Sequence, residues 1–156
     1  MTSQRRVFNK NILVAVDDSE NARRAVDYVG QLLGGVKGFR VTILHVLQEA
    51  DEDYFPNTAE KDEWLRQYKE KINALLDDCR DILIQAGFDP EDVSVRSPLR
   101  YCPSMAECIL SERDEIEYDT IVLGRQGLSR SEEFLFGSVS SKIVTHARNC
   151  TVWVVE

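Results

Sequence analysis

A glycine-containing stretch near the C-terminal end of the chain has the residue types that bind phosphate. It runs from Gly124 to Ser138 with the spacing G-x2-G-x9-G-S, between the apolar run TIVL and a segment with helical periodicity. Glycine allows the backbone to approach an anion closely, and the N–H groups of Gly137, Ser138 and Val139 at a helix N-terminus would point toward it. The stretch therefore predicts a phosphate site, although a plain capped turn would use the same residues.

Side chains could add to these backbone contacts, because Arg125, Arg130 and Lys142 could supply positive charge nearby. Arg125 either touches phosphate or lies at the surface, and the residues alone leave both open; Gln126 is neutral. Because the net charge of the chain is −8, a phosphate ligand would depend on backbone amides, local cations or a divalent metal. The same acidity argues against general binding to nucleic acid or to anionic membranes.

A second polar cluster follows the first apolar run, Asn11–Val16. Asp17, Asp18 and Ser19 are all residue types that cap helices, and helical periodicity follows them. Asp17 is either such a cap or a carboxylate that faces a ligand, and beside phosphates it would require a bridging Mg²⁺. The histidine in the second apolar run, His45, is predicted to be a buried structural residue rather than a base.

The apolar segments predict five strands that alternate with four helices. The strands are expected at residues 11–16, 39–46, 93–96, 120–123 and 151–155, with the third near an edge of the sheet because it is the least apolar. Continuous apolar strands alternating with helices favour an α/β fold with a parallel sheet covered on both faces. Ligands of such sheets bind beyond the carboxyl ends of the strands, which is where Asp17 and Gly124 stand.

The 156 residues are expected to form one domain, with a flexible N-terminus over residues 1–10 and an exposed acidic loop over residues 47–60. Neither a signal peptide nor an apolar run of about 18 residues is present, so a cytoplasmic location without membrane contact is expected. The four cysteines form no C-x-x-C pair, which disfavours a zinc site and predicts free thiols. A redox pair of Cys102 and Cys108 is the alternative. Pro103 is expected in the first turn of the third helix.

Taken together, these segments resemble the universal stress protein family, and the glycine spacing resembles the signature of its ATP-binding type. The segments that carry the resemblance are ILVAVDDSENARRAV, VTILHV, YDTIVLGRQG and GSVSSKIVTHARNCTVWVV, so it extends over nearly the whole chain. It implies an open, Rossmann-like, five-stranded parallel sheet with the strand order 3-2-1-4-5. It also implies that ATP, or another adenine nucleotide, binds at the point where the winding of the sheet reverses.

The resemblance further implies which residues contact the nucleotide. Asp17 would lie near the ribose and phosphates and would meet Mg²⁺ only through the nucleotide, while Val46 would line the adenine pocket. The implied binding residues are Ala15, Asp17, Val46, Leu123, Gly124, Arg125, Gln126, Gly127, Gly137, Ser138 and Val139. The chain departs from the family pattern at Gln126, where a basic residue or histidine is common. It also departs at residues 96–110, a longer segment that could reshape the base or ribose side of the pocket.

As a function, the resemblance implies a stress-response regulator that binds ATP and forms a homodimer through the C-terminal strand Thr151–Val155. Trp153 is either an anchor of that interface or packs under a helix of its own chain. Neither a Walker motif nor G-x-S-x-G is present, so weak ATP hydrolysis is the most activity expected. Two alternatives are a dimeric interaction module with an empty site or another ligand, and an enzyme of the adenylating or pyrophosphatase type.

Overall fold

The computed structural model describes residues 7–48, 56–125 and 138–156, and seven strands lie within these ranges. In chain order they are β1 (Asn11–Ala15), β2 (Arg40–Leu44), β3 (Leu47–Gln48), β4 (Val93–Arg96), β5 (Leu99–Arg100), β6 (Thr120–Gly124) and β7 (Thr151–Val155). Five of them form one parallel sheet in the order β4-β2-β1-β6-β7. The predicted parallel α/β fold is therefore confirmed, with β4 at an edge as expected.

The two remaining strands, β3 and β5, pair with each other in a separate two-stranded parallel sheet. The sequence did not predict them, because each contains only two residues. They shift the numbering of the strands along the chain. Counted among the five long strands alone, the observed order is 3-2-1-4-5.

The first three α-helices of the described residues begin at side-chain caps. The four α-helices of the described residues are α1 (Glu20–Leu33), α2 (Thr58–Gln85), α3 (Met105–Ile116) and α4 (Ser138–His146). Ser19 accepts the backbone N–H of Ala22 and begins α1, and Ser104 accepts the N–H of Glu107 and begins α3. Pro103 therefore precedes α3, and its predicted place in the first helical turn was wrong.

The two faces of the sheet carry separate apolar clusters. Val14, Val41 and Val122 point toward α1 and α2, while Leu13, Leu44 and Ile121 point toward α3 and α4. This alternation along each strand places a buried layer on both faces. The sheet is covered on both sides, so its carboxyl edge becomes a crevice between helices. None of the helices within the described residues is long and apolar enough to cross a membrane.

Two predicted segments, the flexible N-terminus over residues 1–10 and the exposed loop over residues 47–60, lie partly outside the described residues. Leu47 is 1% exposed, and α2 already begins at Thr58, so neither belongs to an exposed loop over residues 47–60; residues 49–55 lie outside the described residues. Residues 1–6 of the N-terminal segment also lie outside them. Asn9 donates its backbone N–H to Asp119 Oδ2 at 2.5 Å, which ties residue 9 to the start of β6.

The cysteines differ from the prediction of free thiols. Cys102 and Cys108 form a disulfide that joins the segment before α3 to the second turn of that helix. Cys79 and Cys150 are free, as predicted. Spacing alone could not reveal the disulfide, because it depends on the turn at Pro103 and Ser104, which brings the two Cα atoms to 5.9 Å.

Candidate functional site

A cavity of about 280 Å³ opens beyond the carboxyl ends of β1, β2 and β6. It is lined by Ala15, Val16, Asp17, Ala22, Leu44, His45, Val46, Tyr68, Met105, Ile109, Leu123, Gly124 and Val139. Strand order reverses between β1 and β6, so the cavity lies at the switch point where parallel sheets bind ligands. Six residues predicted to contact the nucleotide lie in its wall: Ala15, Asp17, Val46, Leu123, Gly124 and Val139.

The side of the cavity beyond β2 is apolar and comes from three elements. Val46 follows β2, Leu123 lies near the end of β6, and Met105 and Ile109 come from the first turns of α3. The sequence placed Met105 and Ile109 only on the inner face of a helix. Their spacing of four residues puts them on one side of α3, but only the packing of α3 against the sheet directs that side into the cavity. The resulting wall suits a flat, apolar ring.

Asp17 stands at the entrance from β1 and is only partly buried. Its Oδ1 accepts the backbone N–H of Ser19 at 2.9 Å, while Ser19 itself caps α1. The alternative in which Asp17 serves only as the helix cap is therefore wrong, because Ser19 has that role. Asp17 Oδ2 makes no hydrogen bond to any residue in the described ranges. One carboxylate oxygen of Asp17 is thus held by the backbone, and the other is available to a ligand hydroxyl or a metal-bound water.

His45 lies in the wall and is 7% exposed. Its Nδ1 lies 2.7 Å from the carbonyl oxygen of Val16, and its Nε2 lies 3.2 Å from the hydroxyl of Tyr68. Because a carbonyl only accepts, Nδ1 carries a proton, and in the neutral ring Nε2 accepts the hydroxyl hydrogen of Tyr68. His45 is therefore buried and hydrogen-bonded at both ring nitrogens, which confirms its predicted structural role.

Tyr68 brings α2 into the site, which the sequence did not predict. Its ring stacks on Trp64 with centroids 5.1 Å apart and an interplanar angle of 9°. Burial is the main cause that raises the pKa of the Tyr68 phenol, and the negative charges of Asp18 and Asp17 add to the shift. The phenol therefore stays protonated and continues to donate to His45. The signal in the sequence was the i, i+4 aromatic pair, which reads equally well as core packing.

Gly124 is required where β6 passes the start of α1. A Cβ at this position would lie 2.7 Å from the backbone nitrogen of Ala22 and closer still to the backbone carbonyl of Asn21. The side-chain amide of Asn21 donates to the carbonyl oxygen of Arg125, which fastens the same crossing. Gly124 thus lets the ends of β1 and β6 and the start of α1 meet at the floor of the cavity.

The charged side of the predicted site is less fully described. The guanidinium of Arg125 pairs with Glu156 at 3.2 Å, and Arg125 is not among the residues that line the cavity. Gln126, Gly127 and Gly137 lie outside the described residues. Ser138 is the first residue of α4, so the N-terminus of that helix stands beside Val139 in the cavity wall. Within the described ranges, acidic, histidine and cysteine side chains do not cluster as a metal site would require.

The segment from Arg96 to Pro103 is anchored by a carboxylate with no exposed surface. Glu112 of α3 forms ion pairs with Arg96 at 3.0 Å and with Arg100 at 2.5 Å, and Arg100 also pairs with Glu115 at 2.6 Å. These ion pairs fix α3 against β4 and β5. The ion pairs thus connect the long segment after β4 to α3, whose Met105 and Ile109 line the cavity.

Comparison with known proteins gives one consistent result. The model of the universal stress protein family matches residues 9–156. A putative universal stress protein of Staphylococcus aureus (strain USA300) is 33% identical over 149 residues, covering 94% of this chain and 84% of that protein.

Solved structures agree with the sequence comparison. A universal stress protein in complex with cAMP superposes with a TM-score of 0.68 at 25% identity, covering 94% of this chain and 97% of the other. A hypothetical protein whose biochemical function was assigned from its structure gives a TM-score of 0.77 at 25% identity and 96% coverage of both chains. The universal stress protein UspA from Lactobacillus plantarum gives 0.72 at 21% identity, covering 97% of this chain and 100% of the other, and shows the shared fold.

Proposed function

Because the chain belongs to the universal stress protein family, we propose that its switch-point cavity binds an adenine nucleotide, with ATP as the first candidate. The observation that carries the proposal is the cavity itself, with an apolar wall at one side and Asp17 and the N-terminus of α4 at the other. The cAMP complex of the related universal stress protein supports the choice of adenine. A base would lie between Val46 and the α3 residues, and the phosphates would lie toward α4.

The residues divide the binding work by their chemistry. Val46, Met105, Ile109 and Leu123 would remove the base from water, which contributes roughly 25 cal/mol per Å² of buried apolar surface. The carboxylate of Asp17 fits a ribose hydroxyl directly, or phosphate oxygens through Mg²⁺. The N–H groups at the start of α4 fit phosphate oxygens. Mg²⁺, when bound with the nucleotide, would neutralise the repulsion between Asp17 and the phosphates.

Calorimetric titration of the full chain with ATP, AMP, cAMP and GTP tests the proposal. Saturable binding of the adenine nucleotides and weaker binding of GTP are expected. Met105→Trp should reduce ATP affinity at least about tenfold, because the indole would occupy the space proposed for the base. Leu110→Trp is the matched control, since Leu110 is equally half-buried on α3 but does not line the cavity. Equal ATP affinity in folded Met105→Trp, or no binding by the unmodified chain, contradicts the assignment.

The phosphate side has its own test. Gly137→Val should abolish the contribution of the phosphates without unfolding the domain, so that ATP and adenosine bind alike. If Asp17 acts through Mg²⁺, Asp17→Asn should remove the dependence of ATP affinity on Mg²⁺ and leave adenosine binding intact; if Asp17 binds the ribose, Asp17→Asn should weaken adenosine and ATP alike. If ATP affinity still depends on Mg²⁺ in Asp17→Asn, Mg²⁺ is bound by the nucleotide without contact to Asp17.

The protein is further proposed to act as a homodimeric regulator in stress response rather than as a fast enzyme. The dimer would form through β7, which is last in the sheet order and pairs only with β6 among the described residues. Trp153 contacts Tyr28 of α1 edge-on, with ring centroids 6.2 Å apart, so its packing on its own helix is observed. Sedimentation of the full chain measures its oligomeric state, and a monomer at micromolar concentration contradicts the proposed dimer.

A further inference from the structure

A disulfide stands directly behind the apolar wall of the cavity. Cys102 precedes the cap residue Ser104 of α3, and Cys108 lies in the second turn of the helix. Between and beside the two cysteines are Met105 and Ile109, which line the cavity. Any change in the covalent bond between Cys102 and Cys108 therefore acts on the helical turns that carry the wall.

The two cysteine residues differ in their exposure to solvent. Cys108 is 1% exposed and packs in the apolar cluster between the sheet and α3. Cys102 is partly buried at the edge of the same cluster, next to the exposed Tyr101 and Pro103. A small thiol or disulfide can reach Cys102 from solvent, and Cys108 can then react within the chain. Cys102, the more exposed residue, is therefore placed to exchange with a disulfide from solvent, and the buried Cys108 is placed to act as the resolving cysteine.

The rest of the segment would keep the two cysteines close in the reduced state. Arg100, two residues before Cys102, is bound to Glu112 and Glu115 of α3. On the other side, Ser104 caps the helix through the N–H of Glu107 at 3.3 Å. Because these contacts need no disulfide, reduction leaves the thiols within reach of each other, which is the condition for reversible closure.

We propose that Cys102 and Cys108 form a reversible dithiol–disulfide site, oxidised by small disulfides such as glutathione disulfide, whose state sets the rigidity of the α3 wall. In the oxidising direction the Cys102 thiolate attacks glutathione disulfide, the glutathione S–S bond breaks, and one glutathione thiolate leaves. Cys108 gives up its proton and attacks the Cys102 sulfur, which releases the second glutathione. Two thiols and one glutathione disulfide thus give one protein disulfide and two glutathione thiols.

The effect on the molecule follows from where the bond lies. The oxidised pair clamps the start of α3 to the turn before it, so the helical turns that carry Met105 and Ile109 lose freedom to fray. After reduction that turn is held by the Ser104 cap, the Arg100 ion pairs and the packing of α3 on the sheet, without a covalent bond. The oxidised state should therefore present a pre-formed wall, and a ligand of the cavity should bind it more tightly. This last consequence rests on the proposed function, whereas the redox chemistry does not.

The first experiment equilibrates the full chain in mixtures of reduced and oxidised glutathione, followed by acid quenching, alkylation and peptide mass spectrometry. Cys102 and Cys108 should escape alkylation together in oxidising mixtures and be alkylated together in reducing ones. Cys79, whose thiol pKa is raised to about 11 mainly by burial, is the internal control and should remain a thiol throughout. Failure to oxidise, a different pairing, or a disulfide that excess reduced glutathione cannot open in the folded protein overturns the proposal.

The second experiment measures hydrogen exchange of the amides of residues 105–109 in both states. Slower exchange is expected after oxidation, and Cys102→Ser should show the reduced behaviour in both buffers. Cys150→Ser is the matched control, because Cys150 packs on the same face of the sheet but lies outside the disulfide. Exchange that is identical in the oxidised and reduced protein overturns the link between the bond and the wall.

ATP titration of the two states then separates this proposal from the proposed function. The oxidised chain should bind ATP at least about fivefold more tightly, the lower end of common coupling between sites, and Cys102→Ser should lose the difference. Equal ATP affinity in both states contradicts the predicted coupling. Absence of ATP binding in both states contradicts the proposed ligand, while alkylation and hydrogen exchange still decide the redox site.

Discussion

The two helices that flank the cavity are joined to the sheet by buried polar contacts of different kinds. On the α2 side, the imidazole of His45 links the hydroxyl of Tyr68 to the carbonyl of Val16, and neither a carboxylate nor a guanidinium takes part. On the α3 side, the contact is ionic: Glu112 binds Arg96 and Arg100. Both contacts lie within a few residues of the cavity. They differ in the free energy that is lost when one partner is removed.

The difference teaches how each side tolerates change. A neutral hydrogen-bonded chain loses a modest free energy when one member is removed, because the remaining groups carry only partial charges. A buried carboxylate between two arginines is stable only while all three charges are present. A substitution on the α3 side should therefore lower the unfolding free energy more than one on the α2 side. The substitutions below test this order, from the largest expected loss to the smallest.

The largest effect is expected for Glu112→Gln. The substitution keeps the shape but leaves Arg96 and Arg100 without their shared anion, and loss of one partner of a buried pair costs about 3–5 kcal/mol of unfolding free energy. The lower end applies here because both arginines are partly exposed. Urea denaturation measures the loss.

Glu115→Gln provides the control for this substitution. Glu115 also pairs with Arg100 from α3, but its side chain is 54% exposed, so its loss should be a small fraction of that of Glu112→Gln. Similar losses in the two variants would show that burial of Glu112 does not determine the strength of the contact.

His45→Phe should have an intermediate effect. The phenyl ring fills the space but leaves the buried Val16 carbonyl without its donor, which costs about 1–3 kcal/mol. His146→Phe changes the other histidine of the chain, an exposed residue at the end of α4, and should leave the unfolding free energy nearly unchanged. A loss for His45→Phe as large as that for Glu112→Gln would remove the contrast between the two sides.

Tyr68→Phe should be milder still. It removes only the hydroxyl that donates to His45 Nε2, with a cost of about 1 kcal/mol, and the stacking on Trp64 is kept. Tyr28→Phe is the control, since Tyr28 is 48% exposed on α1. If both variants unfold at the same urea concentration as the unmodified chain, the hydroxyl contact contributes nothing to stability.

The smallest effect concerns alkaline pH. The pKa of Tyr68 is raised above its ordinary value of 10.0, so the folded chain keeps a proton that the unfolded chain has lost. Stability from this group is present below pH 10 and is lost as pH rises through the folded pKa. The ultraviolet titration curve of the unmodified chain minus that of Tyr68→Phe gives the titration of the Tyr68 phenol. A midpoint at or below 10.0 would contradict the burial that we assign to this phenol.

The features that the sequence predicted are those with local signals. The alternation of apolar runs and helical periodicity predicted the parallel sheet, and strand ends placed Asp17 and Gly124 together. Tyr68, Met105 and Ile109 were missed because periodicity marks the buried face of a helix but not which end of that face reaches a cavity. For a related reason, the disulfide was considered only as the alternative to free thiols and the Glu112 ion pairs were missed, since both depend on the path between β4 and α3.

The positions of the two tryptophans give the molecule two built-in optical reporters. Trp64 stacks on the ring of Tyr68 at the cavity. Trp153 of β7 contacts the ring of Tyr28 of α1. The chain contains no other tryptophan, so its intrinsic fluorescence is the sum of two signals from two separate surfaces. Trp153→Phe leaves emission from the cavity alone, and Trp64→Phe leaves emission from the sheet edge alone. Ligand binding and self-association can thus be followed in the same solution without any added label.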